Sequence, residues 1–213
     1  SGQPLCTLCA KGQYSADVYA KTPCTPCETG TYASETGQSR CVSCGAGKWS
    51  DTLGADNAST CKDCPRGTYS SATGVGTQTG CNDCAPGRYS TLTGQTNSSC
   101  KTCGAGKFGT SAGQVSEAAG CTACKSGRYQ DQEGMTSCVA CPAGQHGVTT
   151  GLKNAQSTAC TNCTTGKYSS AEGASGCNDC APGRYSTLTG QTSAIGCESC
   201  RAGQFQNASG QSG

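Results

Sequence analysis

The sequence predicts a small disulfide-rich β protein: an elongated, solenoid-like array of about eleven modules of about 20 residues, with short two-stranded hairpins and almost no helix. Three observations lead to this prediction. All 22 cysteines fall into Cys-x-x-Cys pairs, each pair is followed by x-x-Gly-x-aromatic or a close variant, and large apolar residues are too few for an ordinary core. In such an array each unit is expected to contact mainly its neighbours.

The repeat is first visible as a verbatim copy. The sixteen residues CNDCAPGRYSTLTGQT stand at 81–96 and again at 177–192. The true period is shorter, because neighbouring Cys-x-x-Cys pairs begin 17 to 22 residues apart. We predict one continuous array over residues 1–213, with both ends in mid-repeat and the same backbone in the two copies. Repeats 1 to 11 begin near their first cysteines, Cys6, Cys24, Cys41, Cys61, Cys81, Cys100, Cys121, Cys138, Cys160, Cys177 and Cys197.

Composition explains why the cysteines must stabilise the fold. Leu, Ile, Val and Phe together supply only 15 of 213 residues, while glycine supplies 32, a balance that would suggest disorder in a chain without cysteines. Cysteine above a tenth of the chain points to disulfides formed in an oxidising compartment. Closing one loop of about 15 residues contributes roughly 3 kcal/mol in the chain-entropy model, so a series of loops can replace a core.

Two disulfide pairings are compatible with the spacing. In a serial scheme, the second cysteine of each pair bonds to the first cysteine of the next pair, and only Cys6 and Cys200 remain, one at each end. A crossed scheme, in which whole pairs bond to whole pairs, would leave one of the eleven pairs over. Connectivity cannot be proved from sequence. We prefer the serial scheme, whose bridges are Cys9–Cys24, Cys27–Cys41, Cys44–Cys61, Cys64–Cys81, Cys84–Cys100, Cys103–Cys121, Cys124–Cys138, Cys141–Cys160, Cys163–Cys177 and Cys180–Cys197.

The pattern C-x-x-C-x-x-G-x-Y…C-x-x-C resembles the ephrin-receptor-like (GCC2/GCC3) cysteine-rich repeat. It is also similar to the first loop of tumour-necrosis-factor-receptor modules. The resemblance covers Cys6 to Phe205. It implies a small β-rich disulfide module, and the receptor loop implies serial pairing. The second, crossed module of those receptors is absent from the sequence, which weakens an inference of receptor-like ligand binding.

Two motif residues have predicted structural roles. The glycine suits a turn with positive φ or a close approach of backbone to a disulfide. Its members are Gly12, Gly30, Gly47, Gly67, Gly87, Gly106, Gly127, Gly144, Gly166, Gly183 and Gly203. The aromatic is expected to lie over a disulfide; a stacking platform for sugars or bases is the alternative. A second glycine in most spacers, as in SETGQS and TLTGQT, is interpreted as a hairpin tip.

Other chemistry is not supported. Two neighbouring Cys-x-x-Cys pairs also match a zinc ribbon, but four thiolates per zinc would leave one of eleven pairs unused. A thioredoxin-like redox site needs one such pair beside a βαβ pattern. The single histidine, His146, takes the aromatic position of repeat 8 and is interpreted as a packing substitute. We therefore expect no enzyme activity, no cofactor and no metal site.

Surface chemistry offers two further expectations. The residue before the aromatic is basic in six repeats, and these residues could form a positive ladder for polyanions or could simply cover the aromatics with their alkyl stems. They are Lys48, Arg88, Lys107, Arg128, Lys167 and Arg184. A net charge of +2 does not support nucleic-acid binding. N-glycosylation is expected at the sequons of Asn57, Asn97 and Asn207, with Asn162 a poorer acceptor.

The function favoured by these features is structural. Near-interchangeable repeats suit an extracellular rod, filament or surface-coat segment, either secreted or on a cell surface, that is stapled by disulfides and glycosylated. The alternative is a ligand-binding or adhesive segment of a receptor ectodomain, in which some repeats should depart from the rest. The expected partners are copies of the chain or flanking repeats placed end to end, with Cys6 and Cys200 forming a disulfide between segments. No run of residues approaches the length of a membrane span.

Overall fold

The computed structural model describes residues 6–17 and 23–213. The predicted array also includes residues 1–5 and 18–22, which lie outside the described residues. The repeats form two units. The first consists of Ser1–Ala85, Tyr89–Lys101 and Ala112–Ser116, and the second of Pro86–Arg88, Thr102–Ser111 and Glu117–Gly213. Both units are built from the same kind of hairpin.

Within the described residues, ten two-stranded antiparallel hairpins follow one another. The first strand holds the aromatic position and the residue before it, and the second holds the two residues inside the next Cys-x-x-Cys pair. The first five are β1 (Gln13–Tyr14) with β2 (Thr25–Pro26), β3 (Thr31–Tyr32) with β4 (Val42–Ser43), β5 (Lys48–Trp49) with β6 (Lys62–Asp63), β7 (Thr68–Tyr69) with β8 (Asn82–Asp83), and β9 (Arg88–Tyr89) with β10 (Lys101–Thr102).

The remaining hairpins repeat this arrangement. They are β11 (Lys107–Phe108) with β12 (Thr122–Ala123), β13 (Arg128–Tyr129) with β14 (Val139–Ala140), β15 (Gln145–His146) with β16 (Thr161–Asn162), β17 (Lys167–Tyr168) with β18 (Asn178–Asp179), and β19 (Arg184–Tyr185) with β20 (Glu198–Ser199). The prediction of short hairpins in modules of about 20 residues is confirmed.

Helix occurs in the described residues only as single turns before the first cysteine of a repeat. Two are α-helical, α1 (Glu117–Gly120) and α2 (Gln156–Ala159). Three are 3-10 turns, Ala58–Thr60, Gln78–Gly80 and Ala194–Gly196. The expectation of almost no helix is confirmed.

Two-residue strands cannot hold a hairpin together unaided, since even longer isolated hairpins are marginal in water. In repeat 4, Thr68 and Tyr69 pair with Asp83 and Asn82. The Cys64–Cys81 bridge closes the loop that contains the first of these strands and has a Cα–Cα distance of 5.8 Å. The disulfide therefore holds together two strands whose own pairing is too short to do so.

The bridges follow the serial scheme. Ten disulfides join the described cysteines, with sequence separations of 14 to 19 and Cα–Cα distances of 5.5 to 5.9 Å. Cys6 is free and exposed, and Cys200 is free and half-buried.

The buried interior consists mainly of these bridges. Cysteines dominate the fully buried side chains, whereas Leu53, Leu92 and Leu188 are exposed. The second cysteine of a repeat is more than nine-tenths buried from Cys9 to Cys180. Disulfide sulfur thus occupies the interior that aliphatic side chains fill in an ordinary domain.

Candidate functional site

The invariant glycine of each repeat, called here the motif glycine, lies in a turn with left-handed backbone. Its φ is between 74° and 84° in all eleven repeats. Residues with a Cβ atom rarely adopt this region. The predicted need for a positive φ is confirmed.

The second glycine noted in most spacers follows the motif glycine at a fixed distance, and this constant distance was not recognised from the sequence. It comes seven residues later in repeats 2 to 11. These spacer glycines also have positive φ, between 65° and 75°. They are Gly37, Gly54, Gly74, Gly94, Gly113, Gly134, Gly151, Gly173, Gly190 and Gly210. The constant spacing, in spacers of otherwise variable length, is the signal that could have revealed them.

The spacer glycine lies in the loop that joins the two strands of a hairpin, as the sequence had suggested, and this loop is broad. In repeat 5 it is Gly94, which lies inside a broad loop between β9 and β10. That loop folds back onto the preceding repeat, and the Gly94 N–H donates to the carbonyl of Cys64 at 2.8 Å. The equivalent bond recurs in repeats 2 to 11, because each loop must satisfy its buried backbone groups without a sheet of its own.

Motif and spacer glycines meet across two repeats. A methyl group placed on Gly67 would lie 2.3 Å from the carbonyl oxygen of Gly113, far inside the contact distance of real side chains. The same approach, at 2.1 to 2.4 Å, recurs in nine pairs. The pairs are Gly12 with Gly54, Gly30 with Gly74, Gly47 with Gly94, Gly67 with Gly113, Gly87 with Gly134, Gly106 with Gly151, Gly127 with Gly173, Gly144 with Gly190, and Gly166 with Gly210. Contacts thus reach beyond the nearest neighbour, which the sequence had not indicated.

Main-chain hydrogen bonds hold the same surfaces together. The Gly67 N–H donates to the carbonyl of Ser90 at 3.0 Å, and the Cys84 N–H donates to the carbonyl of Gly67 at 2.8 Å. The Gly113 N–H donates to the carbonyl of Cys84 at 2.9 Å. Because these bonds use backbone atoms alone, the contact tolerates different side chains from one repeat to the next.

In repeat 7 the motif aromatic covers a disulfide, but not the one in its own loop. Tyr129 of repeat 7 is 8% exposed and packs in a buried cluster with Cys141, Ala159 and Cys160. Cys141 and Cys160 form the bridge between repeats 8 and 9. The predicted contact between aromatic and bridge is therefore present here, displaced by one loop along the chain.

His146 occupies the equivalent position in repeat 8. Its Nδ1 atom lies 3.2 Å from the Sγ atom of Cys177, and the sulfur of Cys163 is also near. A histidine with two cysteines resembles a metal-ligand set, but Cys163 and Cys177 are bonded to each other. A disulfide offers no thiolate to a metal, so the geometry favours the interpretation of His146 as a packing substitute.

The motif glycines of repeats 10 and 11 are not covered by a spacer glycine in the described residues. A methyl group on Gly183 or Gly203 would meet no atom within 4 Å, and Phe205 is 90% exposed. An open groove of about 660 Å³ lies here, lined by Tyr185, Cys200, Arg201, Gly203, Gln204, Phe205, Gln206 and Gly213. The Tyr185 hydroxyl donates to Glu198 at 3.1 Å, and this hydrogen bond raises the pKa of Tyr185. We call this surface the C-terminal edge.

Three residues of repeats 1 and 2 are exposed. Cys6 is free and exposed, and Leu8 is 68% exposed. Gly37 is exposed, whereas the other spacer glycines are half-buried. Among the described residues, the Gly37 carbonyl covers no motif glycine. We call this surface the N-terminal edge.

The basic residues before the aromatics are largely paired. Lys48 contacts Asp63 at 2.5 Å, Lys107 contacts Glu117 at 2.6 Å, and Lys167 contacts Asp179. The guanidinium groups of Arg128 and Arg184 donate to the carbonyls of Cys138 and Cys197. Each exposed ion pair contributes at most about 1 kcal/mol to the stability of the fold. The pairing nevertheless neutralises much of the positive charge that would attract a polyanion.

The three predicted glycosylation sequons are all exposed, at Asn57, Asn97 and Asn207. The Asn57 side chain accepts from the Ser59 N–H at 2.9 Å, and the Asn97 side chain accepts from the Ser99 N–H at 3.1 Å. Both are therefore in surface turns just before a disulfide cysteine. Asn162 instead lies in β16, where its side chain accepts from Gln145 at 2.9 Å.

Comparison with known proteins supports the resemblance seen in the sequence. Residues 15–61 and 109–157 match the family model described as tyrosine-protein kinase ephrin type A/B receptor-like. A search of curated proteins finds no match to the chain. The family match and the many disulfides point to an extracellular location. In the part of the chain that the structure describes, no helix has the length and apolar character needed to cross a bilayer.

Proposed function

We propose that this chain, which carries ephrin-receptor-like cysteine-rich repeats, is a structural segment of an extracellular protein. Its role is that of a disulfide-stapled, glycosylated rod, filament or surface-coat segment. The observation that supports this most directly is the contact between motif and spacer glycines, which recurs nine times with nearly the same distance. A contact made of backbone atoms fixes the geometry of successive repeats and leaves their outer side chains free.

The uniformity of the repeats supports the same role. Binding surfaces concentrate their energy in a few residues, usually buried aromatic or arginine anchors that differ from their surroundings. Here the motif aromatics other than Phe205 are buried or half-buried, as Tyr129 illustrates, and Lys48, Lys107 and Lys167 form ion pairs. We propose no catalytic role and no cofactor.

Small-angle X-ray scattering of the secreted segment tests this function. A compact domain of 213 residues would have a radius of gyration of about 17 Å. A rod should give a clearly larger radius with a constant cross-section, and electron microscopy should show thin straight particles or fibres. A radius near that of a compact domain would contradict the structural role.

A receptor-type ectodomain is the second candidate, because two stretches of the chain match the receptor-derived family model. This candidate predicts saturable binding of the labelled segment to cells or to one purified protein. It also predicts that exchanging the exposed residues of one repeat for those of another abolishes the binding. A structural segment should tolerate such exchanges.

A further inference from the structure

We propose that the Cys163–Cys177 bridge is a thiol-exchange site, at which a low-molecular-mass thiol forms a mixed disulfide with Cys177 while His146 donates a proton to the sulfur of Cys163. This inference goes beyond the proposed structural function, because it assigns a covalent chemistry to one of the ten bridges between described cysteines. None of the three residues belongs to the N-terminal edge or the C-terminal edge. The chain is the substrate of this exchange and not its catalyst.

The contact between His146 and the bridge has a defined direction. The Nδ1 atom of His146 lies 3.2 Å from the Sγ atom of Cys177. Because Cys177 is bonded to Cys163, its sulfur carries no hydrogen and can only accept a hydrogen bond. The ring therefore holds a proton on Nδ1 when this bond forms. One ring nitrogen and the two sulfurs all lie within 4.8 Å of one another, so a small movement of the ring brings a proton to either sulfur.

His146 stands where ten of the eleven repeats have an aromatic residue, and it is the only histidine in the chain. In repeat 7, Tyr129 packs against the bridge between repeats 8 and 9. His146 of repeat 8 contacts the bridge between repeats 9 and 10 in the same register. The hydrocarbon ring of Tyr, Phe or Trp offers no proton to a departing thiolate, whereas imidazole is the side chain that ordinarily exchanges a proton near neutral pH.

Two other bridges are matched to this one. They are Cys27–Cys41 and Cys124–Cys138, each with a sequence separation of 14, as in Cys163–Cys177. In all three bridges the earlier cysteine is fully buried and the later one is half-buried. Tyr14 lines a groove with the later cysteine of the first bridge, and Phe108 lines one with that of the second. The three bridges therefore share loop length and burial, but differ in the side chain beside them.

Burial decides which sulfur an incoming thiol can attack. Cys163 is fully buried, whereas Cys177 is half-buried. The residue before Cys177 is the exposed Gly176, and a methyl group on Gly176 would meet no atom within 4 Å. The open space beside Cys177 admits a small thiol, so Cys177 is attacked and Cys163 is the leaving group.

The exchange balances without a further reactant. The thiolate of the incoming molecule attacks the Cys177 sulfur, the bond to Cys163 breaks, and its electron pair leaves on the Cys163 sulfur. The protonated ring of His146 gives its Nδ1 proton to that sulfur. The products are a mixed disulfide at Cys177, a thiol at Cys163 and a neutral imidazole. Because stabilisation of the leaving sulfur speeds thiol exchange, the histidine makes this bridge the more reactive one.

The experiment uses the secreted 213-residue segment, with the free thiols of Cys6 and Cys200 first blocked by alkylation. Reduced glutathione is added for timed intervals, at concentrations too low to unfold the protein, and an excess of a second alkylating reagent stops the reaction. Peptide mass spectrometry then locates glutathione on Cys177 and the second alkyl label on Cys163. We expect this bridge to open about tenfold faster, or more, than the two matched bridges.

His146→Ala separates proton donation from loose packing. Removal of the ring exposes the bridge further, so exchange should become faster if His146 acts only as a cover. If the ring donates a proton, exchange should instead slow by about fivefold or more, and imidazole added to the buffer should restore part of the rate. His146→Gln keeps an N–H group but not the acid, and should be equally slow. It covers the case in which the alanine variant does not fold, and unchanged rates at the two matched bridges report an intact fold.

Three results would overturn the proposal. The Cys163–Cys177 bridge could open no faster than the matched bridges, glutathione could be found on Cys163 in place of Cys177, or His146→Ala and His146→Gln could react as fast as the wild-type protein. None of these results bears on the proposed structural function, which the scattering experiment tests separately.

Discussion

The Cα atom of Gly67 faces the carbonyl oxygen of Gly113 so closely that a methyl group on Gly67 would lie 2.3 Å from that oxygen. The two residues belong to repeats 4 and 6, and each has positive φ. In repeats 1 to 9, conformation and space therefore exclude a side chain independently. In repeats 10 and 11 the positive φ of Gly183 and Gly203 is the constraint that the structure shows.

Gly67→Ala should therefore destabilise the chain by about 2 kcal/mol or more, because a left-handed alanine and a displaced Gly113 carbonyl add their costs. Thermal unfolding followed by circular dichroism measures the change. Gly45→Ala is the control, since alanine already stands at the equivalent Ala10 and Ala85 and a methyl group there meets no atom within 4 Å. Equal melting temperatures for the two variants would contradict the role assigned to the glycine contact.

Reduction should unfold the protein, whereas chelation should not. The buried interior consists largely of bridged cysteines, so reduced chains lose both the loop closures and the core. Near-UV circular dichroism is measured with a thiol reductant and, separately, with a strong zinc chelator. Loss of signal with the chelator alone would show that cysteines bind metal.

Peptide mapping without reduction should recover the serial bridges. Around the two verbatim copies these are Cys84–Cys100 and Cys180–Cys197. Proteolysis followed by mass spectrometry identifies the linked peptides. Recovery of Cys81 joined to Cys100 and Cys84 joined to Cys103 would instead establish the crossed scheme.

Tyr129→Ala should cost about 3 kcal/mol, because it opens a cavity beside the Cys141–Cys160 bridge. Phe205→Ala is the matched control. It removes an aromatic from the same motif position, but Phe205 is 90% exposed, so the change should be within about 0.5 kcal/mol. His146→Tyr, which restores the usual aromatic over Cys163–Cys177, should be neutral or stabilising. Similar losses for Tyr129→Ala and Phe205→Ala would contradict a role in covering the bridge.

Secreted protein should carry N-glycans at Asn57, Asn97 and Asn207, all of which are exposed. Enzymatic removal of N-glycans followed by intact-mass measurement counts them. At Asn97, Ser99→Ala should abolish the local glycan because it breaks the sequon, whereas Ser98→Ala should leave it. An unchanged mass after deglycosylation of the wild-type protein would refute the prediction.

Much of this architecture could be predicted from the sequence because the constraints on it are local. The spacing is compatible with serial and crossed bridges alike, but an odd number of pairs favours the serial scheme, which leaves only Cys6 and Cys200. A glycine three residues after a cysteine indicates the turn, and scarcity of aliphatic residues indicates that disulfides form the interior. The aromatic could be assigned to a bridge, but not to which bridge, since Tyr129 reaches forward to a loop that begins in the next repeat.

The contact between motif and spacer glycines was decided only by the tertiary structure. Gly87 and Gly183 lie in the two identical stretches and have nearly the same φ, 77° and 76°, so their local conformation was determined by sequence. Yet Gly87 is buried against the carbonyl of Gly134, whereas a methyl group on Gly183 would meet no atom within 4 Å. The burial of a motif glycine depends on the spacer glycine two repeats later, which covers Gly87 and has no counterpart over Gly183 in the described residues. The sequence around the motif does not contain that residue, so local sequence cannot determine the burial.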